Sequence, residues 1–180
     1  MKLDLHTHCL EATSFARPDA RVAERIVTRI KEQGLDGIAI TDHSELGTEF
    51  ARKIKDILAG SSHNEITIII GAEVSRGPYH IVELYLRDNC TFRFIAHPGS
   101  HSLRLLEQEY SDYLNGIHGM EIENGNYWVD SEEAAEFARN HGLLVLSNSD
   151  AHNLADIGRH YNEIDPEELY LRANGGGIIG

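Results

Sequence analysis

The chain has 180 residues, a length that fits one domain and that can bury a core without disulfide bonds. Its 16 Lys and Arg residues face 29 Asp and Glu residues, and the formal charge of -13 argues against an extended surface for nucleic acid or for an anionic membrane. Because two cysteines make no disulfide framework and no apolar run reaches the roughly 18 to 20 residues of a membrane span, we expect a soluble, cytoplasmic protein.

The first predicted strand presents two histidines one residue apart. It covers Lys2 to His8, with the sequence KLDLHTH. Since successive side chains on a strand alternate between its faces, we expect Asp4, His6 and His8 to point the same way. The histidines lie at the carboxyl end of the strand, where α/β folds place their chemistry. Two imidazoles there make half of a metal site.

Helices and strands then alternate along the chain. The patterns predict a helix from Asp19 to Gln33, a strand from Gly37 to Thr41, a helix from Leu46 to Leu58 and a strand from Ile66 to Ile70. The first of these strands leads into His43, and the second leads into Glu73. Each of these strands is therefore followed by a potential metal ligand.

Two further strand-like runs lie close together in sequence. One covers Tyr79 to Leu86 and carries His80, and the other covers Thr91 to Ala96 and leads into His97. The few residues between them are too short for a crossover between parallel strands, which needs a dozen or more residues. The two runs are either antiparallel neighbours or the flanks of a segment that the sequence lacks.

The second half continues the alternation. It predicts a helix from His101 to Leu114, a strand from Gly119 to Glu123, a helix from its N-cap Ser131 to Asn140, and a strand from Leu143 to Leu146. The last strand runs out into Asp150 and His152, and Asp165 caps a final short helix. The pattern predicts a single α/β barrel or open sheet. We expect one catalytic domain over residues 1–172 and a flexible glycine-rich tail over 173–180.

Collected, the predicted strand ends form a constellation of nitrogen and oxygen ligands. Its members are His6, His8, His43, Glu73, His97, Asp150 and His152, with His80 nearby. Taken singly, each could be an ordinary surface or core residue with a hydrogen-bond partner. Gathered at one end of a sheet, they would suffer desolvation and repulsion unless cations compensated them. The sequence therefore predicts a metal site.

Six short motifs in a fixed order carry a resemblance to a known family. They are HTH at 6–8, TDH at 41–43, GAE at 71–73, AHP at 96–98, IEN at 122–124 and SDAH at 149–152. Together they resemble the successive motifs of the PHP (polymerase and histidinol phosphatase) family. The resemblance implies an α/β fold, a distorted (βα)7-type barrel, and activity as a phosphoesterase with two or three divalent metal ions.

The resemblance also implies roles for individual residues. His6, His8 and Asp150 would hold one ion, and Glu73 would bridge it to a second ion held by His80 and His97. A third ion would be held by His43, His152 and a ligand from the loop after the first strand, for which Glu11 is the acidic candidate. Asp150 and Glu73 are the residues to which we assign catalytic roles, with Asp150 orienting the nucleophile.

Imidazole and carboxylate ligands suit zinc, manganese or iron, and nothing in the motifs selects among them. The hypothesis is hydrolysis of a phosphate ester by a metal-activated hydroxide. The substrate would be a small phosphorylated molecule, such as a sugar or amino-alcohol phosphate or a nucleotide, or the end of a short oligonucleotide. Arg17 and Arg159 are candidates for binding a phosphate oxygen, and each is otherwise an ordinary surface arginine.

Two other functions are open: a non-catalytic metal-binding or scaffold module of the same family, and hydrolysis of a non-phosphate bond, as in the related amidohydrolases.

Asp4 either supports the ligands or caps the strand. His63, His118, His141 and His160 are expected at the surface, and so is His101, with a role in lining the pocket as its alternative.

The family pattern places a longer segment between the strands that carry His80 and His97. We therefore predict a chain break close to Arg87 to Thr91.

Overall fold

The computed structural model describes residues 1–100, 103–109 and 111–175, and over this part it contains one sheet of eight strands with six α-helices. The strands are β1 Lys2–Thr7, β2 Gly37–Ile40, β3 Thr67–Arg76, β4 Tyr79–Tyr85, β5 Thr91–Ala96, β6 Gly119–Asn124, β7 Leu144–Asn148 and β8 Asn162–Glu163. The helices are α1 Cys9–Ala12, α2 Ala20–Glu32, α3 Glu45–Ala59, α4 Leu103–Glu109, α5 Ser131–Asn140 and α6 Pro166–Ala173.

The sheet has the order β7-β6-β5-β4-β3-β2-β1-β8. Four neighbouring pairs are parallel, namely β1–β2, β2–β3, β5–β6 and β6–β7, while β4 is antiparallel to both its neighbours and β8 is antiparallel to β1. The sheet curls until β7 approaches β1, where Thr7 and Ala151 form an isolated parallel bridge. The predicted distorted α/β barrel is confirmed, and the short β8 makes its eighth strand.

The side chain of Asn162 joins the two ends of the curled sheet. Its Oδ1 accepts a hydrogen bond from the Ser147 backbone N–H at 2.9 Å. Its Nδ2 donates to the Ser147 carbonyl at 3.0 Å and lies 3.3 Å from the Leu3 carbonyl. This amide adds to two backbone hydrogen bonds just past β7, from the Asp150 N–H to the His6 carbonyl and from the His8 N–H to the Ala151 carbonyl, and together they hold the barrel nearly closed.

Apolar side chains fill the barrel below the predicted ligands. Leu3 and Leu5 from β1 pack with Phe92 and Phe94 from β5, and α6 adds the fully buried Leu169 to the same cluster. Two outer clusters bury the apolar faces of α2 and α3 on one side and those of α4 and α5 on the other. The core therefore supports a rigid rim on which the ligand side chains are placed.

Several predicted boundaries are corrected. Strand β3 runs to Arg76, so Glu73 lies inside the strand, opposite Val82. Asp130, rather than Ser131, caps α5 by accepting a hydrogen bond from the Glu133 N–H. The helix predicted from His101 to Leu114 is divided into α4 and a 3-10 turn, and residues 101, 102 and 110 lie outside the described part.

The predicted chain break after β4 is wrong. The chain passes directly from β4 to β5, which pair in antiparallel fashion, and the Leu86 N–H donates to the Cys90 carbonyl at 2.8 Å. Asp88 and Asn89 adopt the left-handed conformation, with φ of 55° and 57°, which Asp and Asn tolerate in tight turns. The antiparallel alternative is the correct one.

The predicted tail is described only in part, because residues 176–180 lie outside the described part and α6 extends to Ala173. Asp165 caps α6 as expected. Among the described residues, none of the helices has the length and apolar character that crossing a membrane requires.

Candidate metal centre

The predicted ligands meet at one rim of the barrel. His6 lies near the carboxyl end of β1, His8 follows that strand as the N-cap of α1, and Asp150 follows β7. His80 lies near the beginning of β4, but because β4 is antiparallel to β3 and β5, this end reaches the same rim, where His80 pairs with Ala96. Strand direction therefore explains how a ligand at a strand start joins ligands at strand ends.

The structure brings all nine predicted ligands into three groups whose ligand atoms lie within 4.8 Å of one another. Cluster A is defined as His6, His8, Glu73 and Asp150, cluster B as Glu73, His80 and His97, and cluster C as His8, Glu11, His43 and His152. Glu73 belongs to clusters A and B, and His8 belongs to clusters A and C. These shared residues make the three groups one continuous centre.

Cluster A is buried, and its ligand atoms converge. Nε2 of His6 and Nε2 of His8 are 3.1 Å apart. Oε2 of Glu73 lies 3.4 Å and 3.3 Å from these two nitrogens, and Oδ1 of Asp150 lies 3.4 Å and 3.0 Å from them. Ligands of a four-coordinate ion with bonds of about 2.0 to 2.2 Å stand roughly 3.3 to 3.6 Å apart. The spacing of these four atoms fits a bound cation.

The environment of Asp150 also indicates that cluster A can hold a cation. Its Oδ1 is buried and makes no hydrogen bond of acceptable geometry within the described part of the chain. A buried carboxylate oxygen without a hydrogen bond is costly unless a cation satisfies it. The orphaned oxygen therefore points to a metal ion in cluster A.

Glu73 places one oxygen in each of two clusters. Its Oε1 lies 2.8 Å from Nδ1 of His80 and 3.0 Å from Nε2 of His97. Its Oε2 faces the nitrogens of cluster A and also lies 3.2 Å from Nδ1 of His43. This is the geometry of a carboxylate that can bridge two ions.

Cluster C is more open than the other two. His8 stacks on His152 and on His43, with ring centroids 4.2 Å and 4.5 Å apart, and Oε2 of Glu11 lies 3.6 Å from Nε2 of His152. Glu11 is held there because the buried Asp42 carboxylate accepts the Leu10 and Glu11 N–H groups at the start of α1. Sequence reasoning assigned no role to Asp42.

The charges of the centre are strongly coupled. Burial lowers the pKa of His6, but the Glu121 and Asp150 carboxylates outweigh burial and hold that pKa well above its usual range. Burial raises the pKa of Glu73, but its contacts with His6, His8 and His97 outweigh burial and hold that pKa far below its usual range. The pKa of Asp150 is also lowered, because the charge of His6 and a contact with His8 outweigh its burial. The carboxylates thus stay ionised, and they require positive charge beside them.

Glu121 is a second residue beside the centre that sequence reasoning missed. It is fully buried in β6, and its Oε1 lies 2.9 Å from Nδ1 of His6. Its Oε2 accepts the His97 N–H at 2.7 Å, and the amides of Asn124 and Asn148 donate to the two oxygens. Glu121 therefore orients ligands of clusters A and B. The sequence feature that could have revealed Glu121 is its position as an acid in the middle of the buried strand GMEIEN.

Asp4 supports the chain next to Asp150. Its carboxylate accepts hydrogen bonds from the N–H and the hydroxyl of Ser149 and from the Gly158 N–H, and burial raises its pKa to about 6. The pairing register of β1 shifts between Asp4 and Thr7, so the simple alternation assumed for this strand does not hold. Asp4 therefore supports the ligands, both through Ser149 beside Asp150 and through the His6 N–H, which its Oδ1 accepts at 3.4 Å.

Two predicted ligands have strained backbones. His97 and Asp150 adopt positive φ angles of 31° and 51°, which are uncommon for residues other than glycine. Such strain costs on the order of 1 to 3 kcal/mol for each residue and accumulates at functional sites. The strain at these two positions is consistent with a functional rim.

The two predicted phosphate-binding arginines lie outside the clusters. Arg159 is exposed and pairs with Asp156 at 3.3 Å. Arg17 lines a groove beside α3, and none of that groove's lining residues is a member of a cluster. Their contact with substrate stays a prediction.

The unassigned histidines have ordinary partners. His63 meets Glu24 and Lys31, His141 stacks on Phe137, and His160 lies 3.6 Å from Glu123. His118 is half-buried and accepts the Arg93 N–H, so its role is structural. His101, predicted at the surface or lining the pocket, lies outside the described residues.

Three solved structures resemble this one. The first is a two-domain protein from Bacteroides vulgatus that contains a predicted PHP-like metal-dependent phosphoesterase, with a TM-score of 0.63 and 23% identity over 86% of this chain and 52% of that chain. The second is a candidate metal-dependent phosphoesterase from Bifidobacterium adolescentis, with a TM-score of 0.71 and 14% identity over 95% of this chain and 96% of that chain. The third is PsfC from Pseudomonas syringae, with a TM-score of 0.59 and 16% identity over 87% of this chain and 78% of that chain.

These likenesses show the fold. The chain spans about half the length of the Bacteroides protein.

No curated protein matches the chain. The PHP domain family model matches residues 4–173, a span that holds every residue of the three clusters. The chain belongs to the PHP domain family.

Proposed function

We propose that this protein is a metal-dependent phosphoesterase that hydrolyses a phosphate ester. The observation that carries the proposal is the position of Glu73, whose two oxygens face two different ligand clusters. A pair of ions joined by one carboxylate is the arrangement that clamps the attacking and leaving oxygens of a phosphate during displacement. The membership in the PHP domain family supports the same reaction class.

The three clusters would hold two or three divalent ions, and their nitrogen and oxygen ligands suit zinc, manganese or iron. When bound, such ions acidify a water molecule and neutralise charge on phosphate oxygens. The three carboxylates of the centre, Glu11, Glu73 and Asp150, carry less negative charge than three divalent ions carry positive charge. The loaded pocket would therefore attract an anion although the whole protein is acidic.

The chain's own residues would set the geometry. Glu121 holds Nδ1 of His6, which leaves Nε2 of that ring free to bind within cluster A. Asp150 is placed by Asn124, whose amide nitrogen lies 3.3 Å from its Oδ2, and its Oδ1 faces the cluster. In this arrangement Asp150 orients the nucleophile, and Glu73 fixes the separation of the two neighbouring sites.

The proposed substrate is a small phosphorylated molecule or the end of a nucleic acid. The protein is proposed to be cytoplasmic. The formal charge of -13 disfavours an extended nucleic-acid surface. An open rim suits a short substrate, and cluster C is half-exposed at that rim. Arg159 would have to leave Asp156 to meet a phosphate, so it is the weaker of the two arginine candidates.

Two rival functions make different predictions. A non-catalytic PHP module should bind metal and hydrolyse nothing, yet loss of catalysis usually accompanies loss of ligands, and here all nine predicted ligands converge. An amidohydrolase-like enzyme should prefer a carboxylic ester or an amide.

The test is metal analysis of the purified protein followed by a substrate panel. We expect at least two divalent ions per chain and turnover of p-nitrophenyl phosphate or bis(p-nitrophenyl) phosphate, abolished by a chelator and restored by added metal. Turnover of p-nitrophenyl acetate alone would favour the amidohydrolase-like function. Metal binding without turnover on any substrate would favour the non-catalytic module.

A further inference from the structure

The loop between β6 and α5 places an aromatic side chain against a ligand of cluster B. The ring centroid of Tyr127 lies 4.5 Å from that of His97, and the two ring planes are tilted by 36°. His97 is 5% exposed, whereas Tyr127 is 50% exposed. The more exposed ring therefore packs on the buried imidazole and contributes to covering it.

Two other rings pack around His97, and both belong to predicted metal ligands. The ring of His80 meets it edge-on, with centroids 5.1 Å apart and planes at 71°, and the ring of His6 lies 6.1 Å away at 24°. His6 and His80 are members of clusters A and B, whereas Tyr127 belongs to no cluster. Tyr127 can therefore restrain the His97 ring without binding an ion itself.

The orientation of the His97 ring matters because one of its nitrogens has to face cluster B. Its Nε2 lies 3.0 Å from Oε1 of Glu73. The ring of His6 is fixed through its other nitrogen by Glu121, which is the usual support of a metal-binding histidine. Within the described part of the chain, Nδ1 of His97 makes no such hydrogen bond, and Glu121 holds only the His97 backbone N–H. Packing against Tyr127 is the contact that can set the plane of this ring.

The loop that carries Tyr127 is fixed at its start by Asn124. Oδ1 of Asn124 accepts the N–H groups of Asn126 and Tyr127 at 2.9 Å and 2.7 Å. The amide nitrogen of the same side chain donates to Glu121 at 2.9 Å and lies 3.3 Å from Oδ2 of Asp150. One side chain thus connects the position of Tyr127 to the support of cluster A and to its ligand Asp150.

The other end of the loop packs against the turn that follows His97. A Cβ atom at Gly99 would collide with the Trp128 carbonyl oxygen and stand 2.9 Å from Cα of Val129, so the absence of a side chain permits this close approach. His97 itself has a φ of 31°, a strained conformation that persists only when the surrounding structure holds it. The turn that carries His97 and the loop that carries Tyr127 therefore restrain each other.

We propose that Tyr127 is a positioning residue of the metal centre, and that its ring, packed on the His97 imidazole, holds Nε2 of His97 towards the ion site of cluster B. The role is one of shape, so it requires the aromatic ring and not the hydroxyl group. The inference rests on the metal centre of the proposed function, but it does not depend on which bond the centre cleaves.

The variants Tyr127→Ala and Tyr127→Phe test the role of the ring. Tyr127→Ala should weaken the binding of one zinc ion per chain about 10- to 100-fold, the usual effect of losing a contact that orients a metal-binding histidine. Tyr127→Phe keeps the ring and should bind zinc as the wild type does. Competition with a chromogenic chelator measures the affinities. Trp128→Ala, at the neighbouring aromatic residue, which is 74% exposed, is the matched control and should keep wild-type affinity.

Two further measurements separate positioning from a general structural role. Urea unfolding of the metal-free proteins should give the same midpoint for Tyr127→Ala and Trp128→Ala, because both side chains are largely exposed. In a His97→Ala background, the zinc ions that remain should bind equally well with and without Tyr127, since the ring then has no imidazole to hold. Weaker binding of those ions in the double variant would overturn the inference, because Tyr127 would then act on the whole rim.

The remaining outcomes are read from metal binding alone. Wild-type zinc affinity in Tyr127→Ala would overturn the inference, and an equal loss in Tyr127→Phe would do so by assigning the effect to the hydroxyl group. If the wild type binds zinc but hydrolyses no substrate, a loss of affinity in Tyr127→Ala confirms the positioning role although the proposed reaction fails. If the wild type is active and Tyr127→Ala keeps its zinc, the reaction stands and the positioning role fails.

Discussion

Oε1 of Glu121 lies 2.9 Å from Nδ1 of His6, and both side chains are fully buried. The other oxygen, Oε2, accepts the His97 N–H at 2.7 Å. One carboxylate therefore positions an imidazole of cluster A and the backbone of a ligand in cluster B. A contact of this kind fixes the tautomer and the ring orientation of a metal-binding histidine.

Glu121→Gln should weaken metal binding about 10- to 100-fold, because every neighbour of the two Glu121 oxygens can act as a donor. The four neighbours are His6, His97, Asn124 and Asn148. The amide nitrogen of Gln would face a donor in either orientation. Competition with a chromogenic chelator measures the affinity.

Glu123→Gln is the matched control, since Glu123 lies on the same strand and contacts Ser147 and His160 rather than a cluster. It should bind metal as the wild type does. Equal affinity in both variants would show that Glu121 only fills space in the barrel.

Glu73→Gln should lower turnover at least about 100-fold and release at least one ion. This effect is larger than the one expected for a residue that only orients a metal ligand. Gln offers one oxygen where Glu73 faces clusters A and B with two. Metal content per chain and kcat test this prediction, with circular dichroism to follow the fold. Glu65→Gln, at an exposed acid, is the control. Wild-type turnover in Glu73→Gln would contradict the bridging role.

Glu11→Gln should remove one ion and leave the ions of clusters A and B in place. Glu11 belongs only to cluster C, and its neighbour there, His152, is partly exposed, so no buried ligand loses its partner. Metal counting by mass spectrometry of the native protein should show one ion fewer than in the wild type. Glu45→Gln, an exposed acid in the first turn of α3, should show no loss. An unchanged count in Glu11→Gln would remove Glu11 from the ligand set.

The convergence of the candidate ligands could be predicted because strand direction limits where side chains meet. Once β1, β2, β5 and β7 are assigned as parallel strands, their carboxyl ends share one rim, and His6, His43, His97 and Asp150 follow. His80 could only be placed near these strand ends, and its role as a ligand came from the family resemblance, because its place at the rim depends on β4 running the other way. The short link between β4 and β5 predicts that these strands are antiparallel, provided that no segment is missing between them.

The supporting residues could not be predicted in the same way. Glu121, Asp42 and Asn162 act mainly through contacts with residues far apart in sequence. Local patterns do not record such contacts, and even the unusual acid in the middle of β6 does not show which residues Glu121 would contact. The register shift in β1 between Asp4 and Thr7 depends on the pairing with β2, so the alternation of residues in the sequence does not reveal it.

Cys9 should resist thiol reagents in the native protein although it follows the HTH motif. It is fully buried, and burial together with the Asp42 carboxylate raises the pKa of its thiol above the usual range. Cys90 is partly exposed and should react. We expect one reactive thiol per native chain and two in denaturant, and none in native Cys90→Ser. Rapid native labelling of Cys9 in that variant would show that the rim opens around α1.

Asp4→Asn should lower the stability of the protein more than it lowers metal affinity. The Asp4 oxygens accept hydrogen bonds from Ser149 and Gly158, and an Asn amide nitrogen would leave at least one of these buried donors unpaired. Such a loss costs about 1 to 3 kcal/mol. Urea unfolding of the metal-free protein measures the stability, with Asp156→Asn at a partly exposed acid as the control.

Metal competition on the same Asp4→Asn protein gives the second half of the comparison. Asp4 reaches cluster A through Ser149, which precedes Asp150, and through the backbone N–H of His6, whereas Glu121 touches the ring of His6 directly. Asp4→Asn should therefore unfold at lower urea and keep metal affinity within about tenfold, while Glu121→Gln should lose more affinity than that. A larger loss of affinity in Asp4→Asn than in Glu121→Gln would mean that the placement of Asp150 controls the centre more than the orientation of His6 does.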